Sequence, residues 1–122
     1  HLMRTVFETM VEHGYNPYFA YAKAIRSLRS VVDVMDKIGI EEYITKRSSR
    51  TSEFGVRING PRVVNCQEVK NIFTEIPRGD FASSWNMEWH LGMPHLHRMR
   101  IKEAETYMEK VGKEWREQFG EG

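Results

Sequence analysis

Three histidines in the last third of the chain are of a residue type that binds metal ions. His90, His95 and His97 fall within eight residues, and imidazole is a common ligand of divalent transition metals. A metal site needs ligands that converge on one point. His90 and His95 flank a Gly-Met-Pro turn, and His95 and His97 would face different sides of a helix. We therefore interpret all three as surface histidines and predict no metal site.

A second group that could do chemistry is basic. Lys23, Arg26 and Arg29 recur every three residues, accompanied by Ser27 and Ser30. At about 100° per residue these side chains share one broad polar side of a helix, and such a side can bind a phosphate or a nucleic-acid backbone. The net charge of the chain is +1, and no aromatic residues are interleaved with the patch. We interpret it as a solvated helix face, with anion binding as the alternative.

Hydroxyl side chains cluster in residues 48–52, which read Ser-Ser-Arg-Thr-Ser. A nucleophilic hydroxyl needs a neighbouring base. None adjoins this run in the sequence, so a polar loop is the preferred interpretation. Dinucleotide binding is not indicated either, because Gly55 and Gly60 are too far apart for a phosphate-binding glycine loop and follow no strand–helix pattern.

The apolar residues recur with helical spacing along most of the chain, which predicts an all-α fold of six to seven helices. The first helix ends at Gly14, a natural left-handed C-cap. Asn16 as N-cap and Pro17 as the first helical residue begin a long second helix, which should run to about Lys37. A third helix is predicted to begin near Glu41.

The clearest predicted break in the helical pattern is residues 55–61, which hold two glycines and a proline. Val56 and Ile58 alternate with polar residues there, which favours a short extended piece. The polar residues 46–52 fit either a helix or a loop.

Further helices are predicted after Asn65 and after Asp80, each acting as an N-cap, and from His95 with an interruption before Tyr107. The helix from Asp80 carries an aromatic stripe that consists of Phe81, Trp85 and Trp89. We interpret this stripe as core or dimer interface rather than as a ligand site.

Composition narrows the class of protein. A length of 122 residues is enough for one domain with a single core, and 40% hydrophobic with 29% charged residues indicates a soluble globular chain. The near-zero net charge argues against nucleic-acid and membrane partners. A single cysteine, Cys66, excludes an internal disulfide and a thiolate zinc cluster, so a reducing, cytoplasmic setting is expected. The first residues, His-Leu-Met, are interpreted as a tag remnant or the start of an excised domain.

Short blocks of residues follow the order and spacing of one known enzyme family. The first reads Phe-Glu-Thr-Met-Val-Glu-His-Gly-Tyr at residues 7–15. The others are residues 17, 20–21, 28, 31–33, 49–55, 60–64, 79–82, 92–94 and 109–112. Together they resemble the C-terminal domain of ketol-acid reductoisomerase (acetohydroxy-acid isomeroreductase) over nearly the whole chain.

The resemblance implies an all-α domain with a figure-of-eight knot, two copies of which pack into an intertwined homodimer. In that family an acetohydroxy acid undergoes alkyl migration and is then reduced by NADPH, in branched-chain amino-acid biosynthesis. Two Mg²⁺ ions polarise the substrate oxygens, and carboxylates hold them.

This chain differs from the family pattern at the positions that bind the metal ions. Two metal-binding glutamates of the family, four residues apart on the second helix, correspond to Lys23 and Ser27, and the histidine between them corresponds to Arg26. An ammonium at residue 23 would repel a dication. Ser49 corresponds to a serine that contacts substrate, and its expected status here is vestigial or structural. We expect no metal, no NADPH and no catalysis from these 122 residues, which hold a single helical domain and no nucleotide-binding domain.

Three hypotheses follow from the sequence. The first is an isolated or redesigned knotted domain whose partner is a second copy of itself. The second is a fragment or degenerate paralogue of an NADP- and Mg-dependent enzyme whose Rossmann domain belongs to a parent chain. The third is an anion-binding helical module that uses Lys23, Arg26 and Arg29.

Overall fold

The computed structural model describes residues 1–120, and within them every regular element is a helix. The all-α prediction is confirmed. None of the described helices is both long and apolar enough to cross a membrane. The eight helices of the described residues are α1 (Leu2–Glu12), α2 (17–38), α3 (40–47), α4 (Arg50–Val63), α5 (Cys66–Arg78), α6 (Asp80–His90), α7 (Pro94–Ala104) and α8 (Tyr107–Phe119).

The long second helix begins and ends where the sequence indicates. The Asn16 side chain accepts hydrogen bonds from the amides of Tyr18 and Phe19, at 2.9 and 3.3 Å, and so acts as the N-cap. Gly39 ends α2 with a φ of 89°, a conformation that favours glycine. Within α2 the backbone forms a π-helical turn at Ala22–Arg26, a feature that recurs at functional sites of helices.

The predicted break at residues 55–61 is wrong, because these residues are helical and belong to α4. Ser49 caps the helix by accepting a hydrogen bond from the amide of Ser52 at 3.1 Å. Arg57 pairs with Glu53 one turn earlier at 3.1 Å. Both interactions favour the helical conformation against the tendency of the two glycines to break it, and Pro61 lies only two residues before the end of the helix. The helical α4 accounts for eight helices rather than six or seven.

The helices of the C-terminal half follow the predicted boundaries closely. Asn65 caps α5 by accepting from the amide of Glu68 at 3.0 Å. Gly79, in the left-handed conformation, separates α5 from α6, so that Asp80 is the first helical residue and not the cap. The predicted interruption before Tyr107 is confirmed by the gap between α7 and α8.

The contacts of the chain group into two units, and the first comprises residues 1–39 and the chain from Met99 onward. In this unit α1 and α8 both pack on the N-terminal part of α2. The helices enclose a small apolar core, in which Phe7 is completely buried and packs against the ring of Tyr107 at 5.9 Å. The buried core residues are Phe7, Ala20, Tyr21, Ala24, Met108 and Val111.

The second unit comprises residues 40–98 and buries no side chain completely. Helices α3 and α4 are joined by the Arg57 guanidinium, which donates to Glu41 at 2.9 Å. This hydrogen bond, with a second from Thr45, lowers the pKa of Glu41. All residues of α5 are exposed. The unit therefore has no apolar core of its own within one chain.

The close approach of α2 to α8 gives a direct test of the core. A Cβ atom on Gly112 would lie 2.7 Å from the Tyr21 ring, which is only 8% exposed and cannot move aside without disturbing its neighbours. The added methyl gains about 1 kcal/mol of helix propensity but overpacks the site at a cost of about 1–3 kcal/mol. We expect Gly112→Ala to lower the free energy of unfolding, as measured by urea denaturation.

The matched control is Lys113→Ala, at the next, exposed position of the same helix. It should change the unfolding free energy by less than about 0.5 kcal/mol. A more stable Gly112→Ala variant would mean that the Tyr21 ring does not hold the two helices at this separation.

Candidate functional site

The basic side of α2 is built on aromatic rings. The Lys23 ammonium lies 5.5 Å from the centre of the Phe19 ring, one turn earlier on the helix. The Arg26 guanidinium lies 5.6 Å from the ring of Trp115 on α8. Both distances are within the range of cation–π attraction. No aromatic residue is interleaved with the patch in the sequence, but the fold brings Trp115 to Arg26 from a distant part of the chain.

Trp115 belongs to an aromatic cluster that fixes α8 against α2. Its ring lies 6.3 Å from Tyr18 and 6.1 Å from Tyr21. The hydroxyl of Tyr21 accepts a hydrogen bond from Arg116 at 3.2 Å. The hydroxyl of Tyr18 donates to Glu114 at 2.9 Å, and this hydrogen bond, together with burial, raises the pKa of Tyr18. Packing and hydrogen bonding in the cluster thus fix α8 against α2 and place the Trp115 ring beside Arg26.

The side chains at residues 23 and 27 do not fit a magnesium ion. Mg²⁺ takes oxygen ligands and is usually held by carboxylates. Lys23 brings a positive charge instead, and Ser27 turns its hydroxyl to the backbone, where it donates to the carbonyl of Lys23 at 2.8 Å. Among the described residues, no three His, Cys, Asp or Glu side chains come together as a metal cluster. We derive no metal-dependent step from this helix.

Ser49 has a structural task in the second unit. Its hydroxyl accepts from the amide of Ser52 and donates to the hydroxyl of Ser52 at 3.0 Å, so both bonds serve the N-terminus of α4. Ser48 bonds to the carbonyl of Ile44. These bonds place Ser48 and Ser49 as the connection between α3 and α4. The predicted polar loop at residues 48–52 is thus limited to Ser48 and Ser49, since the residues from Arg50 onward are helical, as are those through Arg47.

The three histidines do not converge. His95 Nδ1 lies 2.9 Å from a carboxylate oxygen of Glu88, whereas His90 and His97 are exposed and make no comparable contact among the described residues. The other Glu88 oxygen accepts from the amide of Leu96 at 2.7 Å, so this carboxylate satisfies the start of α7 from across the turn. Glu88 was not singled out from the sequence, because its partner is seven residues away and only the turn geometry brings them together.

The turn between α6 and α7 reverses the chain through two residues with positive φ. Gly92 has a φ of 85°, and Met93 has a φ of 61°, which is rare for a residue with a side chain. The reversal lets Glu88 reach back to α7. Burial alone would raise the pKa of Glu88, but the hydrogen bonds from His95 and from the Leu96 amide outweigh it and lower that pKa.

The lowered pKa of Glu88 predicts a pH dependence of stability. A carboxyl group whose pKa is lower in the folded state stabilises the fold above its unfolded pKa, about 4.3, and loses this contribution as pH falls through the folded value. We expect Glu88→Gln to be less stable than the parent at pH 6. The difference should narrow below pH of about 4, as measured by urea midpoints.

Glu117→Gln is the matched control for Glu88→Gln. Glu117 is an exposed carboxylate with no hydrogen bond or ion pair within the described residues. This control should follow the parent across the pH range. A constant gap between parent and Glu88→Gln from pH 6 to 3 would contradict an ionised Glu88 at the start of α7.

Comparisons with known proteins bear on the whole chain. The family model described as "Ketol-acid reductoisomerase, C-terminal domain" matches residues 1–121. A protein named ketol-acid reductoisomerase (NADP(+)) from Methanocaldococcus jannaschii is 38% identical over 98% of this chain and 37% of its own length. The solved structure of an NADH-preferring ketol-acid reductoisomerase from an uncultured archean superposes with a TM-score of 0.89. Its identity is 32%, over 98% of this chain and 37% of that one. The chain thus spans little more than a third of these relatives.

Proposed function

The chain belongs to the ketol-acid reductoisomerase family, as a C-terminal domain, and from this we propose that it is a dimer-forming structural module that does not catalyse alone. The observation that carries the proposal is the second unit, which buries no side chain although it is rich in apolar residues. Such a unit requires a partner surface. The intertwined homodimer and the figure-of-eight knot, which the resemblance implies, belong to the same proposal.

Apolar side chains on α5 and α6 form the surface that we assign to the partner copy. Residues that recur at three and four positions along α5 share one side of that helix, and on α6 the aromatic stripe lies at similar spacing. Soluble monomers rarely expose contiguous apolar patches of more than a few hundred Å². The exposed residues are Val69, Ile72, Phe73, Ile76, Phe81, Trp85 and Trp89, and Phe73 is 73% exposed.

The total exposed area supports the same conclusion. The chain has a mass of 14.4 kDa and exposes 10260 Å². Two separate globular units, each of half this mass, would together expose about 8,200 Å² by the size scaling of folded proteins. The chain exceeds even this value by about 2,000 Å², and contributions of this size per chain are typical of obligate homodimers.

Lys23 and Ser27 support the catalytic part of the proposal. The Lys23 ammonium rests on the Phe19 ring, and the Ser27 hydroxyl is bonded to the backbone. Neither side chain offers an anionic oxygen to a metal ion. Without carboxylates at residues 23 and 27, this part of α2 lacks the ligands that a metal-template reaction needs.

A second candidate function, part of a longer catalytic enzyme, is favoured by the length of this chain relative to its relatives. Because the chain spans 37% of its relatives, it corresponds to part of a longer enzyme, in which another domain would bind the nicotinamide cofactor. In that case this domain forms the dimer and one wall of the active site of the longer enzyme. The charged side of α2 then faces the ligand bound in that active site. Full-length assays of NADPH oxidation separate this candidate from a purely structural role.

Magnesium should leave the melting temperature of this chain unchanged. Only a ligand that binds the folded state stabilises it. In Lys23→Glu/Ser27→Glu, two carboxylates stand one turn apart and repel each other, so magnesium at ten times its Kd should restore about 1.4 kcal/mol of stability. The measurement is a pair of melting curves with 0 and 10 mM MgCl₂. The higher concentration is about ten times a Kd of roughly 1 mM, the value of the weakest protein sites for a divalent cation.

The control for this double variant is the single variant Lys23→Glu, which places one carboxylate on the same helix with no acidic residue three or four positions away. It should not respond to magnesium. A magnesium-dependent rise in the melting temperature of the unsubstituted chain would overturn the assignment of Lys23 and Ser27 as a lost metal site.

The dimer is tested by mass in solution. Sedimentation should give twice the chain mass of 14.4 kDa. Phe73→Asp places a charge in the proposed interface and should weaken dimerisation by at least about 100-fold, because an unpaired buried charge is costly. Thr74→Asp, which points to the opposite side of α5, should remain dimeric. A monomer mass for the unsubstituted chain at about 100 μM would contradict the proposal, since obligate dimers persist well below this concentration.

A further inference from the structure

We infer that residues 40–98 become folded only when two copies associate, whereas residues 1–39 with the chain from Met99 onward hold their helices in the unassociated chain. The inference rests on the dimer proposed above and adds that the two units of one chain differ in stability. The first unit is folded in the monomer. The second unit folds only in the step in which two chains associate.

The two units differ in what a single chain can stabilise. The first unit completely buries Phe7 and nearly buries Tyr21, Met108 and Val111. Burial of large apolar side chains is the dominant favourable contribution to folding. The first unit therefore offsets part of the conformational entropy of ordering its backbone before any partner arrives.

The second unit offers no such compensation. No side chain between residues 40 and 98 is buried, and α5 is exposed at every residue. Contacts between helices in this unit join only neighbours along the chain, namely α3 with α4, α5 with α6 and, through Glu88, α6 with the start of α7. The helices of this unit have between 8 and 14 residues, and isolated helices below about 12–15 residues are marginal in water. They need tertiary packing that one chain does not provide.

The polar contacts of the second unit do not replace a core. Arg57 bonds to Glu41 and Glu53, but its side chain is 45% exposed and that of Glu41 is 77% exposed. The pairs formed by Lys46 with Glu42 and by Arg78 with Asp80 are likewise exposed. Exposed ion pairs contribute little to stability and are weakened by salt. These ion pairs fix the relative orientation of the helices after a partner chain has covered their apolar side chains.

The partner that fits this surface is a second copy of the same chain. Residues 40–98 hold eight Lys and Arg against seven Asp and Glu, so two copies meet without net repulsion and without a field that would select a polyanion. Between α5 and α6 lies an open cavity of about 300 Å³ lined by Ile72, Ile76 and Phe81. Glu75, Asp80 and Ser84 also line it. A cavity with three apolar side chains in its lining accepts an apolar side chain from a facing helix.

The positions of the three tryptophans allow each unit to be followed separately. Trp85 and Trp89 belong to the second unit, whereas Trp115 belongs to the first. The variant Trp115→Phe reports fluorescence from residues 40–98 alone. The variant Trp85→Phe/Trp89→Phe reports from the first unit and serves as the matched control. Because Trp85 and Trp89 lie on the proposed interface, sedimentation is measured first, and the comparison requires that both variants have the mass of the parent.

The experiment is refolding by dilution out of urea at protein concentrations that differ tenfold. In Trp115→Phe, recovery of fluorescence should become about tenfold faster at the higher concentration, as a bimolecular step requires. In Trp85→Phe/Trp89→Phe, the main recovery should keep the same rate. If both variants refold at concentration-independent rates while sedimentation gives a dimer, the coupling is wrong and the dimer stands. A monomer mass that persists after refolding overturns the dimer and, with it, this inference.

Hydrogen exchange on Phe73→Asp provides a second measurement that does not depend on the tryptophan variants. In this variant the amides of α4, α5 and α6 should exchange at least about 100-fold faster than in the parent, and those of α1, α2 and α8 less than about tenfold faster. Thr74→Asp should match the parent throughout. Persistent protection of α5 and α6 in monomeric Phe73→Asp would overturn the inference, and so would equal loss of protection in both units.

Discussion

The contact between the Tyr21 ring and the backbone of Gly112 is the constraint on which the first unit depends. It brings α8 so close to α2 that a single methyl group does not fit between them. This separation places Trp115 beneath Arg26 and allows Arg116 to reach the hydroxyl of Tyr21. The basic side of α2 is therefore a property of two helices, although its charged residues all come from one.

The two sides of α2 differ in burial, so that side chains on its polar side can vary while the helical packing is kept. The core residues Tyr21 and Ala24 point away from the exposed Lys23 and Arg26 on the same helix. Substitution on the polar side leaves the core contacts unchanged. A chain can thus keep the helical frame of a ketol-acid reductoisomerase domain while carrying side chains that do not fit its metal ions.

Local signals in the sequence predicted the helices well and the tertiary contacts poorly. Asn16 and Asn65 mark helix starts because a side-chain cap acts within three residues. The prediction for residues 55–61 was wrong because their glycines and proline are local signals of a break. The hydrogen bond from Arg57 in this segment to Glu41 joins it to another helix and cannot be read from local sequence. In the candidate site, the positions of Lys23 and Ser27 followed from the resemblance. The ring of Trp115 under Arg26 did not, because it requires packing between helices far apart in the chain. The carboxylate of Glu88 at the start of α7 did not either, because the sequence indicates a turn at Gly92–Pro94 but not the backbone angles that direct α7 toward Glu88.

The left-handed conformation of Met93 limits which sequences this turn accepts. With a φ of 61° just before Pro94, position 93 is open to glycine without strain and to asparagine at small cost, but a β-branched residue would be strained there. Glycine at this position would lose the half-buried methionine side chain. Related chains should therefore carry few residue types at position 93. Glycine there would indicate that relief of backbone strain governs the direction of α7, whereas a large apolar residue would indicate that side-chain packing does.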